Sequence, residues 1–295
     1  MPCFSPLKGW RGAPTAAGPA GIVFSRKEST GMHMQVPCGG CLGCRLERSR
    51  EWGVRCVHEA KMHEKNCFIT LTYDEEHLPP NGGLDRRGFP GFIRSLRQKL
   101  QRECVKASSA CKKIRYFHAG EYGTLTRRPH YHALIFGYDF PDKVKTVERK
   151  GNVVFSSEEL EDVWAKGMCE IGTLTLGSAQ YVAKYILAKN SGPMVEGEAV
   201  REFATMSSRP GIGKTWYDKW KDDVYPSDQI VIEGKVSKPP AYYDLLLERE
   251  NPKMFAAVKA ARTEKRRKED ETEERLMDIE VCTRARINLK AERGL

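Results

Sequence analysis

Residues 113–140 constrain the fold more than any other part of the chain. KIRYFHAGEYG (113–123) and HYHALIFGYDF (130–140) are rich in aromatic and β-branched residues. The short string TLTRRP separates them, so they read as the two strands of an antiparallel hairpin. A third strand is predicted at CFITLTY (67–73), where Phe68, Thr70 and Thr72 share one face and Ile69, Leu71 and Tyr73 the other. CEIGTLTL (169–176) reads as a fourth. Helices are expected near 46–63, where Trp52, Val54, Cys56 and Val57 sit among charges, and near 90–104, where Phe92, Leu96 and Leu100 recur at helical spacing. Two more are expected at 156–167, with Ser156 and Glu159 at capping-box spacing, and at 178–190, with Ser178 as N-cap. This order predicts an α+β class, a mostly antiparallel central sheet with helices on one side of it.

Three segments follow: a cysteine-rich N-terminal segment with a helix (1–65), the strand-bearing domain (66–225) and a charged C-terminal tail (226–295). The Gly/Pro/Ala-rich stretch at 11–21 reads as loop. The tail mixes both signs of charge, as in RTEKRRKEDETEERL, and is expected to be solvated helix or partly disordered. With 49 Lys+Arg against 39 Asp+Glu, the net charge of +10 favours a polyanionic partner such as nucleic acid. No run approaches the ~20 apolar residues of a membrane span, and residues 1–21 lack the apolar core of a signal peptide. These features predict a reducing cytoplasm, no membrane partner, and ten cysteines acting as metal ligands or buried small hydrophobes rather than disulfides.

The string RRPHYHALIFG carries the chemistry. On a strand, His130 and His132 project to one face about 7 Å apart, so their imidazoles can converge on one ion, while Tyr131 faces away. Glu121, across the hairpin, can add a carboxylate; His118 and Glu170 are alternatives for that third position. Such a mixed N/O site, open to water and substrate, suits Mg²⁺ or Mn²⁺. In QYVAKYILAK, Tyr181 and Tyr185 stand one helical turn apart with Lys184 beside both. A metal-polarised phosphodiester attacked by a phenol would give a 5′-phosphotyrosine and a free 3′-OH, and the lysine would stabilise developing negative charge.

FITLTYD, then GEYG…RPHYHALIFG, then QYVAKYILAK resemble, in order and spacing, the three motifs of the HUH-superfamily rolling-circle replication initiators. With PCGGCLGCRLERSREW ahead of them, the chain is most similar to the gokushovirus-type initiators of microviruses, which are single-stranded DNA phages. That resemblance implies metal binding by His130 and His132, nucleophilic roles for Tyr181 and Tyr185, and phosphate stabilisation by Lys184. It also implies alternating use of the two tyrosines to cut and rejoin origin DNA into circles, in the host cytoplasm and alongside a host helicase and polymerase. A relaxase or transposase of the same chemistry, or a non-catalytic zinc-containing nucleic-acid-binding protein, are the other readings.

Cys38, Cys41 and Cys44 are spaced C-x2-C-x2-C in a Gly-rich turn, an arrangement that can wrap a soft ion such as Zn²⁺. Cys3 is the first choice for the fourth ligand, ahead of Cys56 and His33. Arg127 and Arg128, in the turn beside the histidines, are expected to contact DNA phosphates, and Tyr73, Tyr116, Phe117, Tyr122 and Tyr131 are candidates to stack bases. RPGIGKTWY (209–217) ends like a phosphate-binding loop, but Ser208 stands where that motif needs glycine, Pro210 intrudes and no apolar strand leads in. It is read as a structural or DNA-contacting loop.

Overall fold

Among the described residues, seven strands build the sheet that carries the histidines, and all of their pairings are antiparallel. In the computed structural model the described residues are 3–13, 21–108, 111, 113–123, 125–149, 151–184, 200–225, 227–265 and 268–292. They divide into two units, Met1–Arg48 with Ala260–Leu295, and Ser49–Lys259.

The first unit contains β1 (Leu7–Gly12), β2 (Ile22–Val23) and β3 (Ser29–Val36), an antiparallel sheet ordered β2-β1-β3. Arg11 and Gly12, expected in a loop, belong to β1, where cross-strand pairing with β2 and β3 overrides their weak strand propensity. Residues 14–20 of that stretch lie outside the described residues. The unit boundary falls inside α1 (Leu42–Ala60).

The second unit continues with β4 (Asn66–Thr72), α2 (Gly88–Lys106), β5 (Arg115–Tyr122) and β6 (Pro129–Phe136). Next come the hairpin β7 (Val144–Arg149) and β8 (Asn152–Ser156), then α3 (Glu158–Trp164), β9 (Cys169–Gly172) and α4 (Leu176–Lys184). After β10 (Phe203–Met206) and α5 (Lys214–Val224), a small ribbon of β11 (Ile230–Ile232) and β12 (Lys235–Ser237) leads into α6 (Ala241–Glu250) and α7 (Pro252–Glu264), inside which the second unit ends. The last helix, α8 (Glu273–Glu292), belongs to the first unit. Among the described residues no helix is long and apolar enough to cross a membrane.

The large sheet runs β10-β5-β6-β4-β9-β8-β7. Period-two alternation gives it two apolar faces, and helices cover both, which corrects the expectation of helices on one side. On one face, Ile69, Leu71, Tyr131, Ala133 and Ile135 pack against Phe89, Phe92 and Leu96 of α2 and Leu160 and Trp164 of α3. On the other, Phe117, Ala119, Leu134 and Phe136 meet Cys56 of α1 and Ala179, Val182 and Ala183 of α4. A sheet apolar on both sides leaves neither to water.

Two caps differ from expectation. Ser156 ends β8, so Ser157 caps α3, its hydroxyl accepting from the Leu160 N–H at 3.1 Å. Ser178 lies inside α4; Thr175 precedes the helix and trades hydrogen bonds with it, Thr175 N–H to Ser178 Oγ at 2.8 Å and Ser178 N–H to Thr175 Oγ1 at 3.1 Å. Further along, Tyr243 and Leu247 of α6 are buried with Val54, Tyr217 and Tyr225, because α6 carries an apolar face that its charge content conceals.

Candidate active site and metal centre

The β5–β6 register sets Glu121 directly opposite His130 and Ala119 opposite His132. Alternation then sends Glu121, His130 and His132 to the same face, near the end of the hairpin closed by the turn at 123–128. Glu121 Oε1 lies 2.7 Å from Nε2 of both histidines. One ligand atom from each of the three residues falls within 4.8 Å of the others, so the trio can hold a metal ion. His118, one of the alternatives for the third position, is on the opposite face, stacked on Phe89 with ring centroids 3.9 Å apart and an exposure of 0%. Glu170 pairs with Thr70 in the ladder and lines a groove beside the trio instead of joining it.

Each imidazole is oriented from behind. His130 Nδ1 is 3.1 Å from the Arg128 carbonyl, which can only accept, so Nδ1 carries the proton and Nε2 faces the cluster. His132 Nδ1 meets the Thr70 hydroxyl at 3.0 Å, and its ring stacks on Phe68. Burial opposes the charge of Glu121, but hydrogen bonds and charge from the two histidines outweigh it and hold the carboxyl at about 2. Burial likewise works against His130 as a cation, but the hydrogen bonds to Glu121 and to the Arg128 carbonyl, with the charge of Glu121, outweigh it and raise its pKa. The second oxygen, Oε2, is buried and has no hydrogen-bond partner among the described residues. An orphaned carboxylate oxygen beside two imidazole nitrogens is the donor set of a divalent-cation site with positions left open.

Tyr181 joins this cluster from α4. Its hydroxyl donates to Glu121 Oε1 at 3.0 Å and lies 3.4 Å from His132 Nε2, while the ring packs edge-on against His132. Ala179, Val182 and Ala183 take the buried face of the helix, turning Tyr181 to the rim, where it is 38% exposed. Gly53 on α1 makes this approach feasible, since a Cβ there would come within 2.6 Å of Gln180 Cγ; Ser49 Oγ also donates to the Gln180 carbonyl at 3.0 Å. Burial and then the charge of Glu121 push the phenol pKa upward. The Lys184 side chain and all of Tyr185 lie outside the described residues. Beside Tyr181, a groove of about 570 Å³ opens between β4, β9 and the start of α4, lined by Phe68, Thr70, Glu170, Thr175 and Ser178.

Arg128 is engaged by the protein: its Nε donates to the Tyr73 carbonyl at 3.0 Å and its Nη1 pairs with Glu75. Arg127 is exposed, its backbone in the left-handed region (φ 55°) and its guanidinium over the Tyr122 ring. Of the aromatics considered for base stacking, Tyr73, Phe117 and Tyr131 are core residues with exposures of 4%, 0% and 0%, because each faces a helix layer. Tyr122 is tied by its hydroxyl to Val200 and Leu84. Sequence reasoning missed Thr70 and Phe68 as supports of His132, although their shared face was visible in the alternation of CFITLTY.

The cysteine cluster belongs to the first unit. Cys3, Cys38, Cys41 and Cys44 bring their sulfurs within 4.8 Å of one another and can hold a metal ion. Backbone N–H groups support the sulfurs, Cys38 N–H to Cys3 at 3.2 Å and Phe4 N–H to Cys41 at 3.3 Å. Despite burial, the N–H groups of Cys44 and Phe4 and the neighbouring thiols lower Cys41 to about 6, while burial and its thiol neighbours push Cys44 up to about 12. Cys56, an alternative fourth ligand, is buried in the sheet–helix core, and His33 is exposed with its ring against Trp10.

Residues 66–190 match the family described as Replication-associated protein ORF2/G2P. Over 260 residues the chain is 34% identical to Replication-associated protein VP4 of Bdellovibrio phage phiMH2K, covering 86% of this chain and 80% of that one. It is 37% identical over 227 residues to Replication-associated protein ORF2 of Spiroplasma virus 4, covering 73% and 68%. With Replication-associated protein ORF4 of Chlamydia phage 1 the figures are 31% over 224 residues, 72% and 54%. No solved structure matches. The chain belongs to this phage replication-associated protein family, and within it to the microvirus-type rolling-circle replication initiators.

Proposed function

We propose that this protein starts replication by nicking single-stranded origin DNA with a tyrosine and later rejoins the ends to release a circle. The observation that carries this reading is the phenol of Tyr181 within 3.4 Å of both Glu121 and His132 atoms, that is, inside the set of residues able to bind a metal. Glu121, His130 and His132 would hold Mg²⁺ or Mn²⁺, and the bound ion would supply Lewis-acid polarisation of a phosphoryl oxygen. The Tyr181 oxygen attacks phosphorus, the P–O3′ bond breaks, and the leaving 3′ oxygen takes up a proton. The products are a 5′-phosphotyrosine and a 3′-OH able to prime a polymerase. Neutralising the charge of Glu121 on ion binding would remove one cause of the raised Tyr181 pKa, and the phenol proton would leave to solvent through the exposed rim.

Rejoining needs the reverse step, attack of a 3′-OH on the phosphotyrosine. Tyr185, one helical turn further on by sequence, is proposed as the second nucleophile, with Lys184 stabilising charge on the phosphoryl group. Arg127 is the candidate for strand contact, while Arg128 supports the site by fixing the chain next to Tyr73. The cysteine cluster is proposed to bind Zn²⁺ as a closed four-thiolate structural site. The three-ligand set on the sheet leaves coordination positions open, which favours catalysis over a purely architectural role.

The test is a denaturation-resistant protein–DNA adduct formed on origin-containing single strands with Mn²⁺. Tyr181→Phe with Tyr185→Phe should abolish it. An adduct that survives in the double variant removes both nucleophile assignments.

A further inference from the structure

Cationic side chains that the catalytic cluster does not use gather at the opposite end of β5. Arg97 of α2, Lys113, Arg115 and Arg209 line a cavity of about 260 Å³ together with Ser207 and Ser208, and no carboxylate is among its described lining residues. Two of the cations are partly committed. Arg115 pairs with Glu59 at 2.5 Å and donates to the Pro210 carbonyl, so it forms a compensated wall. Arg97 spends one Nη2 bond on the Ile114 carbonyl at 3.1 Å, leaving other N–H groups of its fork to act. Ser207 Oγ accepts from the Tyr116 N–H at 3.1 Å, so its O–H remains a donor. Lys113, Ser208 and Arg209 are exposed at the cavity.

We propose that this cavity is a second phosphate-binding site, which grips a backbone phosphate of bound DNA away from the phosphodiester that is cut. Along β5, Arg115 and Glu121 are separated by about 20 Å at the usual strand rise, so one phosphate cannot serve both places. Guanidinium, ammonium and hydroxyl donors converging without an acid suit an anion with several acceptor oxygens. The cavity is smaller than the ~300–1,000 Å³ of pockets that enclose a whole small ligand. Tyr116, the aromatic at its wall, already carries Phe89 and Arg97 against its ring. The fit is therefore to a phosphate group, not to a base and sugar. Such an anchor would set the direction of the strand relative to Tyr181.

The proposal rests on the reading of single-stranded DNA as substrate, yet its test needs no cleavage. Fluorescence anisotropy with a labelled oligothymidylate long enough to span both places should show Lys113→Glu and Arg209→Glu each weakening binding on the order of tenfold. The slope of log K against log salt should flatten by roughly 0.7 per lost contact. Lys235→Glu, an exposed lysine on β12, measures the generic effect of net charge and should weaken binding much less. Arg209→Lys should keep most of the affinity, which separates charge loss from damage to the loop. Unchanged affinity in Lys113→Glu and Arg209→Glu, or an equal loss in Lys235→Glu, overturns the site. Inorganic phosphate titrated against the wild type distinguishes the source of the anion: binding of phosphate that Lys113→Glu removes, with oligothymidylate affinity untouched, overturns the DNA assignment. If the adduct assay fails while these binding results hold, the nicking chemistry falls and the anchor stands.

Discussion

Among the described residues of the second unit two glutamates are buried, Glu59 on α1 at 1% exposure and Glu121 on β5 at 2%. Both have pKa values held down against burial, yet by opposite kinds of neighbour. Around Glu59, His63 lies at 3.4 Å, the Gly213 N–H donates at 2.7 Å and Arg115 stands at 2.5 Å, so both oxygens are used and one partner is a permanent cation. Around Glu121 the partners are two titratable imidazoles and a phenol, and one oxygen has no partner among the described residues. The first arrangement is complete within the protein; the second leaves Oε2 unpartnered among the described residues, where a cation could satisfy it. The contrast also explains the loop at 209–217 that resembles a phosphate-binding motif. Its Gly213 N–H already serves a carboxylate, and Gly213, at φ 81°, packs so closely that a Cβ would meet the Tyr243 hydroxyl at 2.7 Å.

Removing one member of the closed arrangement should have the largest effect on stability. Glu59→Ala leaves Arg115 buried without its counter-charge, at a cost of about 3–5 kcal/mol, measurable by denaturant unfolding, with metal affinity at the sheet site unchanged once the protein is folded. Glu121→Ala should reverse the pattern. Metal affinity, read by titration calorimetry, should fall by more than the roughly 10–100-fold typical of losing an outer partner, while unfolding free energy moves far less than in Glu59→Ala. If the two variants lose stability equally, the distinction between a closed and an open carboxylate fails. Thr70→Val, which removes the hydroxyl behind His132, should cost within that ~10–100-fold range in metal affinity and leave the cysteine cluster's metal content intact.

The open site was largely legible in the sequence because its parts are local. His130 and His132 share a face by the two-residue period, and a short hairpin connection puts Glu121 in reach. What remained ambiguous was register: one step of slip would have aimed His118 at the cluster and Glu121 away. The closed site was invisible, since Glu59, Arg115 and Gly213 are brought together by packing between a helix, a strand and a distant loop, none of which carries a local signature. The same holds for β10, whose four residues pair with β5 from beyond α4, and for helices on both faces of the sheet. Cys38, Cys41 and Cys44 announced themselves by spacing; Cys3, 35 residues earlier than Cys38, is favoured in the sequence only because the short N-terminal segment has little else to hold it down, and its sulfur lies beside theirs, accepting from the Cys38 N–H.

Acid should sharpen the comparison by the smallest but most direct effect. Because both carboxyls titrate lower in the folded chain than in the unfolded one, each contributes stability that is present above the ordinary glutamate value of about 4.3 and is lost as pH falls through its folded value. For Glu121 in metal-free protein that window extends down to about 2. His130 works the other way: its raised pKa gives stability below the ordinary histidine value of about 6.5, lost as pH rises through the folded value. Metal-free protein should therefore lose stability at both ends, and Glu121→Gln should flatten both limbs, because this carboxylate is the main partner behind the raised His130 pKa. Glu59→Gln should flatten only part of the acid limb, since its Arg115 partner keeps its charge throughout. Urea unfolding at a series of pH values reads this directly, and a Glu121→Gln profile that keeps the wild-type alkaline limb would mean that His130 owes its raised pKa to something other than this carboxylate.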